Sequence, residues 1–168
     1  RAIKKLFGTS CLIKWVSDIF CGGKKVCGIL TEGIVNSSKG IVEAAVVGIG
    51  INLVAQNDFP EELRKKAGGI STAEFLSEKK ISSQKLIFCC MDEITAILNS
   101  GENIIPEYKS LSFLLGRELD ISPVIGQEKS FKAKALDITD NAGLLVELAD
   151  GTKKVLHSGE VTLHSFLG

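Results

Sequence analysis

The stretch that most restricts this chain's folding choices is residues 9–54, dense in β-branched and apolar side chains and cut twice by turn formers. The cuts are Gly22-Gly23 and Asn36-Ser37-Ser38-Lys39-Gly40. Such a pattern predicts strands joined by short turns, and short turns favour antiparallel pairing. Three strands are expected, over about 11–15, 26–35 and 41–52. The chain enters this strand-like pattern almost from its first residue.

Beyond position 60 the composition turns polar and compatible with helix. Pro60 suits a first helical position, and Glu61 and Glu62 favour the positive end of a helix dipole, so a short helix is expected over about 60–76. The clearest helix follows a Ser82-Ser83 cap. Leu86, Ile87, Cys90, Ile94, Ile97 and Leu98 recur at three and four residues until Asn99-Ser100-Gly101. Another helix is expected over 104–115, with Tyr108, Leu111, Leu114 and Leu115 on one side and Gly116 as its stop. From Glu118 onward, short alternating strands are punctuated by Gly126, Asn141-Ala142-Gly143, Asp150-Gly151 and Ser158-Gly159, the pattern of a small barrel. The fold class expected is therefore α+β, with a boundary near Arg117 that separates domains 1–116 and 117–168.

Size and charge exclude several classes. With 168 residues and 45% hydrophobic content the chain can bury a core, so disorder is not expected. Twenty basic and twenty acidic residues cancel, and no basic excess argues for nucleic acid as a partner of this segment. Apolar runs such as 44–51 are too short to span a bilayer, and the N-terminus lacks an export signal. The five cysteines, Cys11, Cys21, Cys27, Cys89 and Cys90, show no paired zinc spacing. A soluble protein of the reducing cytoplasm is expected.

Two runs concentrate chemistry: Lys14-Trp15-Val16-Ser17-Asp18, and Gly23-Lys24-Lys25-Val26-Cys27-Gly28-Ile29-Leu30. They put cations, one carboxylate and glycine-bared backbone within a single expected hairpin, the materials of an anion-handling site. Lysines flanking a hairpin are more often solvated surface charges, and only the ordered combination raises the odds. Downstream, Gly48-Ile49-Gly50-Ile51-Asn52 adds two more bare positions, which in a strand can equally mark a bulge or a tight packing contact. Trp15, beside Leu12 and Ile13, also fits a core position. Cys27 reads as a small buried hydrophobe rather than a nucleophile. His157 and His164 have no partner at metal-ligand spacing.

In this order the runs resemble the catalytic core of biotin protein ligases, whose pattern reads KWPND, GKKxxGIL, then GxGxN. Leu115-Gly116-Arg117 and the closing Gly159-Glu160-Val161-Thr162-Leu163 are similar to that family's LGR junction and GEVxL end, so the likeness runs the whole length. It implies part of a class II synthetase-like catalytic domain, an antiparallel or mixed sheet packed with helices, followed by an SH3-like barrel. It implies adenylation of biotin with ATP and Mg2+, then transfer to a lysine of a biotin carboxyl carrier protein domain, with homodimerisation as a further family expectation. Lys25 would be the catalytic cation, and Lys25, Gly28, Gly48 and Gly50 would line the biotin site. Lys14, Trp15, Ser17, Asp18 and Asn52 would serve the nucleotide, with Asp18 also a magnesium ligand. Lys153, Lys154 and Glu160 are looser candidates for the carrier and ATP.

The sequence departs from the pattern at Val16, where the family has proline, and at Ser17, where it has asparagine. The family's GRGRxGR loop and TSTN-type segment have no counterpart here; by resemblance they precede residue 1, so little or no ligase activity is expected from this polypeptide alone. Two other readings stand beside the ligase. One is a noncatalytic biotin-binding or regulatory remnant, as in biotin-sensing repressors. The other is a relative of the lipoate ligases.

Overall fold

The computed structural model describes residues 1–55, 60–122 and 129–163, so the expected turn at Gly126 and the position of His164 lie outside the described residues. The chain divides into two compact units: Arg1–Cys11 with Ser17–Met91, and Leu12–Val16 with Asp92–Gly168. The α+β class and the antiparallel pairing are both present.

The first unit opens with a helix, α1 (Ala2–Phe7), where a strand-like entry was expected. Ile3 and Phe7 are four residues apart and both buried, a helical spacing too brief to stand out in the sequence. Gly8 ends it in the left-handed region at φ 67°, with its N–H donating to the Lys4 carbonyl. The expected strand over 11–15 becomes the short β1 (Leu12–Lys14) of the second unit. An additional strand, β2 (Asp18–Cys21), follows it. Gly22 and Gly23, at φ 56° and 77°, form the two-residue turn into β3 (Lys24–Asn36), pairing Cys21 with Lys24. Two successive positive φ values match the right-handed twist of a tight hairpin, which explains both glycines.

β3 pairs antiparallel with β4 (Ile41–Ile51), in a register that sets Gly28 opposite Gly50 and Leu30 opposite Gly48. Asn36 builds the turn between them, its side-chain oxygen accepting from the N–H groups of Ser38 and Lys39.

Two helices, α2 (Glu61–Lys66) and α3 (Ala73–Glu78), stand where one was expected. Between them the backbone is drawn alongside 52–54: Ile70 N–H donates to the Asn52 carbonyl and Ser71 N–H to that of Leu53. A Cβ on Gly69 would lie 2.3 Å from the Ala55 nitrogen, so only glycine lets the two segments meet. Thr72 caps α3 by accepting from Phe75 N–H. Next comes α4 (Ser83–Ser100), with Ser82 Oγ accepting from Lys85 N–H as the sequence predicted. The unit's core is Ile3, Phe7, Val26, Cys27, Ile70, Ile81 and Leu86.

In the second unit α5 (Ile105–Leu111) ends earlier than expected, because Ser112 turns extended and Phe113 N–H donates to the Ile13 carbonyl. Five strands follow: β5 (Glu118–Ser122), β6 (Phe131–Ile138), β7 (Leu144–Leu148), β8 (Lys153–Leu156) and β9 (Glu160–Leu163). They form one antiparallel sheet in the order β8-β7-β6-β5-β9. Inward positions alternate as a half-buried sheet requires, and Leu119, Ile121, Ala133, Ala135, Ile138, Leu144, Val146 and Val161 make its core with Leu114 and Trp15.

Candidate functional site

Lys25 and Asp18 meet on the β2–β3 hairpin, Nζ to Oδ1 at 2.6 Å. Strand alternation alone would keep them apart, because Lys25 and Gly28 are an odd number of residues apart and would face opposite sides of β3. The ladder pairs Ile19 with Cys27 but Phe20 with Lys25, leaving Val26 without a partner on β2. That extra residue is a β-bulge, and it brings Lys25 onto the face of Gly28 and of Gly28's partner Asp18. The lysine then lies over bare backbone: a Cβ on Gly28 would be 3.4 Å from both Cε and Nζ of Lys25, and 3.7 Å from Asp18 Oδ1.

Main-chain bonds hold this corner. Gly68 N–H donates to the Lys25 carbonyl, Ile29 N–H to that of Ser17, and Asn52 N–H to that of Val26. Lys25 and Asp18 keep 44% and 25% of their side-chain surface, so a ligand anion can reach the ammonium. Lys24 points elsewhere, its exposed ammonium donating to the Arg64 carbonyl near the end of α2.

Gly28, Gly48 and Gly50 share one face of the β3–β4 ladder. At Gly48 and Gly50 an added Cβ would meet only carbonyl oxygens, at 3.9 and 3.8 Å, which are ordinary contact distances. Among the described residues nothing therefore demands glycine there, in contrast to Gly69. Both positions are exposed and leave backbone open to a ligand.

The remaining sequence candidates divide between the units. Ser17, Asp18 and Asn52 belong with Lys25 in the first, whereas Lys14 and Trp15 belong to the second. Trp15 is 2% exposed and sits in the second unit's core, its indole N–H donating to the Ala142 carbonyl at 2.8 Å. Tyr108, a helix-face residue by its sequence spacing, donates its hydroxyl to the Val16 carbonyl. Burial pushes the Tyr108 phenol up to about 12, so it remains a donor at neutral pH. No local pattern signals a contact spanning that much sequence.

Cys27 is buried, and burial, then Cys90 and Asp18, push its thiol up to about 11. A thiol held neutral is a poor nucleophile. Cys11 and Cys21 form a disulfide with Cα atoms 4.7 Å apart, a pairing the cysteine count did not reveal; Cys27, Cys89 and Cys90 are free thiols. Lys153, Lys154, His157 and Glu160 are exposed, with the Lys154 ammonium over the Phe131 ring. Among the described residues, no group of three or more His, Cys, Asp and Glu could hold a metal, and no helix is long and apolar enough to cross a membrane.

Comparison with known proteins adds the following. Residues 1–52 match the Biotin/lipoate A/B protein ligase family. The bifunctional ligase/repressor BirA of Bacillus subtilis (strain 168) is 32% identical over 169 residues, covering 97% of this chain and 49% of that protein. Its counterpart in Bacillus spizizenii gives the same identity and coverage. The chain thus spans about half the length of the curated relatives it matches. Among solved structures, the biotin protein ligase of Aquifex aeolicus in complex with biotin and ATP superposes with a TM-score of 0.69 at 23% identity, covering 96% of this chain and 65% of that one. Its apo form gives 0.71, with 96% and 68% covered. At that identity the likeness shows a shared fold.

Proposed function

This chain belongs to the biotin/lipoate A/B protein ligase family, and we propose that it supplies the Lys25 hairpin of an ATP-dependent biotin protein ligase acting in the cytoplasm. The observation that carries the reading is the Lys25 ammonium stretched over bare Gly28 beside Asp18. In the first step a biotin carboxylate oxygen attacks the α-phosphorus of ATP, the bond to the β-phosphate oxygen breaks, and biotinyl-AMP and pyrophosphate form. Two anions must approach, and a fixed ammonium offsets that repulsion most where charge shifts in the transition state. In the second step the amine of a lysine on a biotin carboxyl carrier domain attacks the acyl carbon and AMP leaves.

Each remaining group has an assigned part. Gly28, Gly48 and Gly50 let biotin approach the sheet, while Ser17, Asp18 and Asn52 serve the nucleotide; Trp15, 2% exposed, is instead a core residue of the second unit, and Lys14 lies in that unit with it. Asp18 releases Lys25 to the ligand's anions as these arrive. A single carboxylate already paired with an ammonium makes no resident metal site, so its donor set fits magnesium only as the counter-ion that ATP carries, with Asp18 as one ligand.

The test is a chimera in which this chain replaces the matching half of the Bacillus subtilis relative. The chimera is expected to label a carrier domain with biotin in an ATP-dependent manner. Lys25→Ala within it should slow adenylate formation by about 100-fold or more while the fold survives. A folded chimera without labelling, or near-normal turnover in Lys25→Ala, would remove the assignment. The relative's name also includes a repressor role; biotin binding without transfer in the chimera would favour a regulatory reading, and preference for lipoate would favour the sister acid.

A further inference from the structure

We propose that Lys24 is a positioning residue for Lys25: its ammonium holds the end of α2, so that the Gly68 amide stays on the Lys25 carbonyl and the bulge at Val26 keeps its register. The catalytic consequence rests on the reading of Lys25 given above; the positioning rests on geometry within the first unit.

The pairing of β3 with β4 runs out where Cys27 lies opposite Ile51. Beyond it another segment becomes the neighbour of β3: Ala67 forms a parallel bridge with Lys25, and Gly68 N–H donates to the Lys25 carbonyl at 2.9 Å. That amide has a rival acceptor. In a continuing helix each N–H donates to the carbonyl four residues back, which for Gly68 is that of Arg64. Helix α2 stops at Lys66 instead, and Ala67 turns extended at φ −104° and ψ 143°, so the Arg64 carbonyl goes without the Gly68 amide. Lys24 Nζ takes that amide's place, donating to the Arg64 carbonyl at 2.9 Å. A cation there also suits the negative end of the helix. The lysine stem is seated on the same segment. A Cβ on Gly68 would lie 2.9 Å from Lys24 Cβ and 3.3 Å from Cδ, so bare backbone at 68 lets the stem cross it.

Lys24 and Lys25 are successive residues of β3 and face opposite sides. One ammonium is thus spent on α2 while the other lies over Gly28. The bulge between them and Cys27 is held from the edge of β3 by two bonds, Gly68 N–H on the Lys25 carbonyl and Asn52 N–H on that of Val26. Removing the Lys24 ammonium leaves the Arg64 carbonyl free to recapture the Gly68 amide. The Lys25 carbonyl then loses its donor, and one of the two bonds that keep Lys25 on the face of Gly28 is gone.

The experiment compares Lys24→Met, which keeps an apolar stem without the charge, with Lys24→Arg, which restores a cation. In the isotope-labelled chain, the Gly68 amide should exchange slowly, and NMR should show a cross-relaxation contact between the Lys25 Hε and Gly28 Hα protons. Lys24→Met is expected to quicken Gly68 exchange by about tenfold or more and to lose that contact, with the β6 amides unchanged; Lys24→Arg should restore both. In the ligase chimera, Lys24→Met should lower kcat for adenylate formation by about tenfold with little change in KM for MgATP, and should add nothing to Lys25→Ala. Unchanged exchange and contact in Lys24→Met would overturn the proposal. So would an unchanged kcat where Lys25→Ala is impaired. A raised KM for MgATP that persists on top of Lys25→Ala would make Lys24 a direct ligand contact and overturn it too. If Lys25→Ala turns over normally while Lys24→Met still frees Gly68 and loses the contact, the ligase role of Lys25 fails and the positioning stands.

Discussion

The Lys25–Asp18 contact is short, yet both side chains keep a good part of their surface in water, and such pairs contribute about 0–1 kcal/mol to stability. Its value lies in position. Lys25→Ala and Asp18→Asn should each leave the urea unfolding free energy within about 1 kcal/mol of the parent. A loss of several kcal/mol in either would make the pair a structural brace. Cys27 shows the opposite balance. Its thiol stays protonated in the folded chain to about 11, whereas the unfolded chain releases the proton from its ordinary 9.0. Between those values the unfolded state binds fewer protons, so this contribution is whole below pH 9 and fades as pH rises toward 11. Cys27→Ala should flatten the decline in denaturation midpoint over that window; an unchanged decline would place its cause elsewhere.

The β2–β3 hairpin shows how elements turn a string of residues into a site. Lysines, an aspartate and glycines were legible as materials, and the strands over 26–35 and 41–52 were legible because turn formers bracket β-branched runs. Two things were not. β2 has only four residues and begins with Asp18, too brief to show alternation, and the bulge at Val26 exists only relative to a partner strand. Without the bulge, the pattern would place Lys25 and Gly28 on opposite faces. The same limit hid the break between α2 and α3, where Gly69 meets backbone that is distant in sequence. The two glycine kinds make contrasting predictions. Gly69→Ala drives a Cβ into the Val54–Ala55 backbone and should cost about 1–3 kcal/mol or more, read by chemical denaturation. Gly50→Ala meets only ordinary contacts, so stability should hold while biotin affinity of the chimera falls; equal effects on both measurements would cancel the distinction.

At the scale of the whole molecule, each unit carries its own core, and the sequence marks that division unevenly. The change to short strands after Arg117 was legible in the sequence, but the two units divide between Met91 and Asp92, within α4, and nothing local could show that Leu12–Val16 belongs with Asp92–Gly168. The strand's allegiance is written in distant partners: Ile13 with Phe113, Val16 with Tyr108, and Trp15 with Ala142. Trp15 is the chain's single tryptophan, so its fluorescence reports on the second unit's packing. Leu114 is fully buried in the same cluster, whereas Leu30 is 65% exposed on β3. Truncating the first leaves a cavity beside the indole and should lower the unfolding free energy read by Trp15 fluorescence by about 2–5 kcal/mol. Truncating the second removes no buried contact and should shift it by about 0.5 kcal/mol or less. The same chemical change, Leu→Ala, is thus expected to separate by several kcal/mol according to which surface it touches. Equal shifts would mean that Trp15 does not sit in that core, and with it would go the assignment of residues 12–16 to the second unit.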